Sequence, residues 1–196
     1  MLINSKKILL IFLFLHTVLW TTIPSLINTN LPLDTIEALA WGNELKLGYD
    51  KYPPIFPLFT ELFFKLFNSQ DWAYYFLSQI FIVICFLIVF KFSKYFLRND
   101  IHCLISVLLL ESIYFYNYTT PEFNVYICEL PFWALTVLFC WKGFKDNKNS
   151  DWLIFGLFSA LGVLSHYLFF YLLAAIDVFF LYMIITKKIN FKCLVS

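Results

Sequence analysis

The first long apolar run of the chain extends over residues 8–27 and directly follows Lys6 and Lys7. A signal-peptide core is normally about 7–15 residues long and ends at a small-residue cleavage site. This run is longer and contains no Ala-x-Ala site. It therefore predicts an uncleaved first membrane span, in which His16 is a residue of helix packing.

Further apolar runs predict five more membrane spans. The runs over residues 72–90, 101–116 and 125–141 are each close to the length of one span, which needs about 20 residues. The run over residues 152–186 is too long for one crossing, and lysines flank both of its ends. Two spans joined by a tight turn at residues 165–167 satisfy both observations.

One segment between the first two spans, residues 28–71, is distinctly polar. Its pattern predicts a short helix from Asp34 to about Leu47, ended by Gly48. The Pro53-Pro54 step then interrupts the chain, and Pro54 suits the start of another helix. That helix, residues 55–67, is amphipathic and too short to span a membrane, so we expect it to lie in the membrane interface.

Composition supports a membrane protein. Of the 196 residues, 61% are hydrophobic and 14% are charged, and the mean hydropathy is +0.77. A soluble domain carries about 25% charged residues. The five cysteines form no Cys-x-x-Cys spacing, which excludes a zinc site or a disulfide framework as the basis of the fold. We expect no nucleic-acid partner.

The distribution of charge gives the orientation. Most basic residues, including the single arginine Arg98, flank the spans on one side, whereas most acids lie in residues 28–71 and near Glu122. By the positive-inside rule, the basic side is cytoplasmic. The fold class predicted is an all-α, multi-pass bundle of about six transmembrane helices in a plasma membrane of the bacterial inner-membrane type. Residues 1–196 form a single membrane domain, which we expect to be the N-terminal part of a longer protein.

Asp34 and Glu37 are the first candidates for chemistry. Their i,i+3 spacing places both carboxylates on one face of a helix. One interpretation is a capping arrangement, with Asp34 as the N-cap and Glu37 folding back towards it. The other is a general base or metal-binding pair at the membrane surface. The spacing is compatible with both.

Other ionisable residues fall in or beside the spans. Glu122 lies in a loop on the same side as Asp34, and His166 lies at the outer end of the fifth span. Glu129 lies inside the fourth span, where a carboxylate is either functional or hydrogen-bonded to a neighbouring helix. We interpret Glu111 and Asp177 as structural polar contacts. Lys51 could meet a lipid phosphate, and the apolar bundle could hold a polyprenyl tail.

Several short motifs occur in a recognisable order. They are Asp34-x-x-Glu37-Ala38, then Gly48-Tyr49-Asp50-Lys51-Tyr52-Pro53-Pro54, then Thr120-Pro121-Glu122, and lastly Gly156-Leu157-x4-Gly162-x-Leu164-Ser165-His166-Tyr167. This order resembles the N-terminal half of the integral-membrane GT-C glycosyltransferases. The similarity is to family 39 and the lipid A aminoarabinose-transferase-like proteins, which have a mannosyltransferase-type domain.

The resemblance implies transfer of a sugar, with inversion, from a polyprenyl-phosphate donor to a lipid, glycan or protein acceptor on the extracytoplasmic face. It implies that Asp34 is the catalytic base or a metal-associated residue, with Glu37 and Glu122 in support. A divalent cation, if used, would be held by Asp34 and Glu122. Lys51 would face the donor phosphate, and Tyr52 and His166 would also bind the donor.

Two positions depart from that family's pattern. Tyr52 stands where His or Lys often precedes Pro-Pro, and His166 stands where many relatives have Lys. Two alternative functions stay open from the sequence. One is a flippase or transporter of lipid-linked sugars, for which Glu111 and Asp177 would be the residues within the membrane. The other is a truncated, inactive remnant of the enzyme.

Overall fold

The computed structural model describes residues 4–44 and 46–186. The described part is built from α-helices, with one 3-10 turn at Tyr114–Tyr116. The helices are α1 (Ser5–Ile27), α2 (Leu33–Gly42), α3 (Ile55–Phe67), α4 (Asp71–Ser93), α5 (Asp100–Glu111), α6 (Val125–Asp146), α7 (Asn149–Ser165) and α8 (Phe169–Ile185). The all-α fold class is confirmed, and α3 has the predicted bounds.

Three of the described helices, α1, α4 and α6, are long and apolar enough to cross a membrane. Helix α4 lies at the centre, packed against α1, α3, α5 and α6. Its side chains Leu77, Ile82 and Phe86 are almost completely buried. Helices α7 and α8 have 17 residues each, which is at the short end for a span. The structure thus shows a helical membrane bundle, and the count of six spans stays a prediction.

Asparagine side chains fix the starts of three helices. Asn4 accepts hydrogen bonds from the first-turn backbone N–H groups of α1, Asn99 does so at α5, and Asn124 accepts one from Ile127 at α6. A capping side chain satisfies backbone donors that have no partner within the helix. Local sequence therefore determines where α1, α5 and α6 begin.

Side-chain contacts join the end of α1, the start of α4 and the loop before α6. The Asn28 amide donates to the Tyr75 hydroxyl over 3.2 Å. Ser78 donates to the backbone carbonyl of Thr120, and the Gln79 amide donates to the Thr120 hydroxyl over 3.1 Å. These contacts define one end of the bundle, called here the Asp34 end because α2 also lies there.

Helix α5 is shorter than the predicted span over residues 101–116, because it ends at Glu111. Twelve residues rise roughly 18 Å at 1.5 Å each, against a hydrocarbon core of about 30 Å. The last residue, Glu111, contacts His16 near the middle of α1, with Nδ1 3.0 Å from Oε2. The chain therefore continues from mid-bundle to the Asp34 end without an α-helix.

Helix α2 ends at Gly42, so the prediction that it extends to Leu47 with Gly48 as its terminator was wrong. Gly42 packs directly on α3: a Cβ there would lie 2.6 Å from the carbonyl oxygen of Pro57. Beyond it the chain folds back, and Tyr49 stacks on Trp41 with ring centroids 5.8 Å apart. Long-range packing overrides the local helical pattern here.

Helices α7 and α8 form a hairpin whose turn lies at residues 166–168, as the sequence predicts. Gly162 permits the close approach, because a Cβ there would lie 2.2 Å from the ring of Phe169, a side chain that is fully buried. Gly156, on the same helix, has no atom within 4 Å of its Cβ position. The two glycines form a matched pair for a test of the hairpin.

We expect Gly162→Val to destabilise the folded protein by about 1–3 kcal/mol, as overpacking of a filled site does. Gly156→Val should change stability by less than about 0.5 kcal/mol. Denaturation of the purified protein in detergent, followed by far-ultraviolet circular dichroism, measures both. Equal stabilities for the two variants would contradict the packing of Gly162 on Phe169.

Candidate functional site

Asp34 and Glu37 both face one cation, the Lys51 ammonium. Lys51 Nζ donates to Glu37 Oε2 over 2.7 Å and lies 3.8 Å from Asp34 Oδ1. The shared face expected from the i,i+3 spacing is therefore correct. The capping arrangement is not, because Pro32 is the N-cap of α2 without a side-chain hydrogen bond, and Asp34 lies in the first helical turn.

Lys51 is held from two sides and is still accessible. Hydrogen bonding to Glu37, and then to Tyr52, raises the pKa of Lys51 above its usual value. Its ammonium lies 4.9 Å from the centre of the Tyr52 ring, and that ring packs edge-on against Trp41. Lys51 thus stays charged with about half of its side chain exposed, at 48%.

Glu122 reaches Asp34 from the loop before α6. Thr35, next to Asp34, donates its buried hydroxyl to the backbone carbonyl of Phe123 over 3.0 Å, which ties α2 to this loop. Burial and then the charge of Asp34 raise the pKa of Glu122, and hydrogen bonds from the Asp34 backbone N–H and the Asn124 side chain offset part of the rise. Glu122 therefore stays protonated to a higher pH than an ordinary glutamate.

A cavity of about 490 Å³ opens beside Glu122. Its walls come from the last turns of α1 and from residues 114–122, and they include the aromatic side chains Trp20, Tyr114 and Tyr118 and the amide of Asn28. A largely apolar pocket with a few polar groups is the usual form of a small-molecule site. Nothing in the sequence indicated that Trp20 and Asn28 line such a cavity.

His166 does not join the contacts around Lys51. It is buried, and its Nδ1 lies 3.2 Å from Oε2 of Glu129, which is buried on α6. The Tyr126 ring packs edge-on against the imidazole, with centroids 5.0 Å apart. The interpretation of Glu129 as a contact to a neighbouring helix therefore agrees with the structure. The donor-binding role of His166 stays a prediction.

The remaining candidates separate into buried and exposed groups. His16 is buried and contacts Glu111 and the ring of Phe86, as expected of a packing histidine. Glu111 is accordingly a structural polar contact. Asp177 is exposed on α8, and Asp50 is exposed in the loop before the Pro-Pro step. In the described part of the chain, neither of these two acids belongs to the cluster around Lys51, which consists of Asp34, Glu37 and Glu122.

The donors available to a metal ion are few. Within residues 4–44 and 46–186, no group of three or more His, Cys, Asp and Glu side chains is placed to hold one. Asp34 and Glu122 provide two carboxylates, but the Lys51 ammonium lies 3.8 Å from the first of them. This donor set does not by itself fit a divalent cation.

Comparison with known proteins identifies the family of this chain. A family model described as dolichyl-phosphate-mannose-protein mannosyltransferase matches residues 51–195. The match begins at Lys51 and covers Glu122 and His166, whereas Asp34 and Glu37 precede it. No curated protein and no solved structure matches the chain. Because the match covers most of the chain and the fold is a helical membrane bundle, the protein belongs to the dolichyl-phosphate-mannose-protein mannosyltransferase family of GT-C glycosyltransferases.

Proposed function

We propose that the protein transfers a sugar from a polyprenyl-phosphate donor to a lipid, glycan or protein acceptor on the extracytoplasmic face of the bacterial inner membrane. One observation supports this above the others. A charged, half-exposed lysine lies against two carboxylates, Asp34 and Glu37, while a third, Glu122, links this cluster to a cavity of about 490 Å³.

Lys51 is the group proposed to bind the donor phosphate. Its pairing with Glu37 is solvent-exposed, and exposed ion pairs contribute little to stability because water and salt screen them. A phosphate can therefore compete for the ammonium without a large loss of free energy. The Tyr52 ring beside the ammonium limits the directions in which Lys51 can move.

Asp34 is the group proposed to act as the base. Its carboxylate lies 3.8 Å from the Lys51 ammonium, and its charge contributes to the raised pKa of Glu122 in the cavity wall. Asp34 is therefore placed between the proposed phosphate-binding group and the cavity. Glu122 then lies in the cavity wall as a hydrogen-bonding group for the sugar or the acceptor.

The proposed reaction is a single displacement. The acceptor hydroxyl oxygen forms a bond to the anomeric carbon of the sugar, and its proton goes to Asp34. The bond from that carbon to the phosphate oxygen breaks on the opposite face, with inversion. The electron pair stays on the phosphate oxygen, where the Lys51 ammonium balances the added negative charge.

The test uses the purified chain in nanodiscs with polyprenyl-phosphate mannose, labelled in the mannose, and host membrane extract as the source of acceptors. We expect label to move from the donor to an acceptor. Lys51→Gln should raise the KM for the donor by about tenfold or more, the effect of one lost hydrogen bond to a charged group.

Lys46→Gln is the matched control, since Lys46 is exposed in the same loop and pairs with Glu44. Its KM should stay within about twofold of the wild-type value. A chain that neither binds the labelled donor nor transfers label would overturn the proposed function. An unchanged donor KM in Lys51→Gln would overturn the role of this lysine.

A further inference from the structure

A second cavity, of about 500 Å³, lies between α2, α3 and the start of α4. Leu39 of α2 and Asn43, the residue that follows α2, line it. At 100° per residue these positions lie about 140–180° around the helix from Asp34. The second cavity is therefore on the side of α2 that faces away from the proposed catalytic cluster.

One buried polar group in the wall of this cavity has no partner in the described part of the chain. Tyr74 lines it with only 1% of its surface exposed, and its hydroxyl has no hydrogen-bond partner in the described part of the chain. Buried hydroxyls are nearly always paired in folded proteins. The buried carboxylate of Glu61 and the exposed carboxylate of Asp71 also line the cavity. An unpaired hydroxyl and two acids in the wall of one cavity indicate a ligand with donor groups.

The second cavity lies at the level of lipid head groups. Asp71 and the exposed Trp72 begin α4, one of the helices long enough to cross a membrane. Tryptophan at such a position is typical of the membrane–water interface. The floor of the cavity comes from α3, which is amphipathic and exposes the apolar side chain of Phe64. Membrane lipids are thus the molecules from which a ligand for this cavity would come.

Both negatively and positively charged side chains lie at this cavity. Glu61 and Asp71 supply negative charge, and Lys65 lies one turn beyond Glu61 with its ammonium 3.1 Å from Glu61 Oε1. The Lys65 side chain is mostly exposed, at 59%. We propose that this cavity binds the head group of a zwitterionic lipid with a primary ammonium, such as phosphatidylethanolamine. The ammonium lies between Glu61 and Asp71 and near the Tyr74 hydroxyl, and the phosphate meets Lys65.

The test is native mass spectrometry of the full chain released from mixed micelles that contain equal amounts of phosphatidylethanolamine, phosphatidylcholine and phosphatidylglycerol with the same acyl chains. Phosphatidylcholine keeps the positive charge and has no N–H donor, and phosphatidylglycerol has no cation. We expect phosphatidylethanolamine to be retained at least about tenfold over each of the others. Free ethanolamine at millimolar concentration should not displace it.

Two variants test the assigned residues. Tyr74→Phe keeps the ring and removes the hydroxyl, and Asp71→Asn removes one carboxylate at the rim; each should reduce the preference to about threefold or less. Asp50→Asn, an exposed acid away from this cavity, should leave it unchanged. Equal retention of the three lipids, or an unchanged preference in both variants, would overturn the proposal. Because binding is the readout, the result is independent of sugar transfer.

Discussion

Replacing Asp34 by Asn should lower sugar transfer by about 10²–10⁴-fold, the usual contribution of a general base. Asparagine has the same shape and cannot accept the acceptor's proton at neutral pH. The donor KM should change little, because Lys51 and its hydrogen bond to Glu37 are retained. Transfer of labelled mannose in nanodiscs measures the rate and the KM separately.

Two controls separate the proposed base from its surroundings. Asp50→Asn removes an exposed acid from the loop that contains Lys51. This variant should transfer sugar at close to the wild-type rate. Circular dichroism should show that Asp34→Asn folds normally, since the buried Thr35 hydroxyl still holds α2 to Phe123. Near-normal transfer by Asp34→Asn would exclude Asp34 as the base.

The second large effect concerns stability. His166→Leu should destabilise the protein by about 3 kcal/mol, because it leaves the Glu129 carboxylate buried without its partner. The double variant with Glu129→Leu should recover most of that loss, because no carboxyl group then stays buried without a partner. Chemical denaturation in detergent, compared across the single and double variants, gives the coupling free energy.

The exposed histidine His102 on α5 provides the comparison. His102→Leu should leave stability within about 0.5 kcal/mol of the wild-type value. If His166 binds the donor instead of stabilising Glu129, the expected results are different. In that case His166→Leu would raise the donor KM with little change in stability, and the double variant would not recover stability.

Much of the fold follows from the alternation of apolar and polar residues. The amphipathic pattern gave α3 its bounds at Ile55 and Phe67, and the lysines around the last apolar run placed the turn between α7 and α8. The early end of α2 at Gly42 could not be predicted in this way. It depends on the contact of Gly42 with Pro57 and on the stacking of Trp41 with Tyr49, and neither contact has a local signature.

The candidate site, like the fold, was only partly predictable from the sequence. The spacing of Asp34 and Glu37 is a property of one helix, so their common face was predictable. The approach of Glu122 depends on the hydrogen bond between Thr35 and the carbonyl of Phe123, far apart along the chain. The pairing of His166 with Glu129 likewise requires the packing of α7 on α6, which the sequence alone does not specify.

The shortness of α5 has a consequence for how substrates arrive. Glu111 meets His16 near mid-height of α1, so the connection from Ser112 to Asn124 runs from the middle of the bundle to the Asp34 end without an α-helix. Irregular backbone at that depth occurs only where protein covers it or where it borders water. Since part of this connection lines the cavity beside Glu122, we expect water to reach that cavity and to pair with the backbone groups there that no helix satisfies.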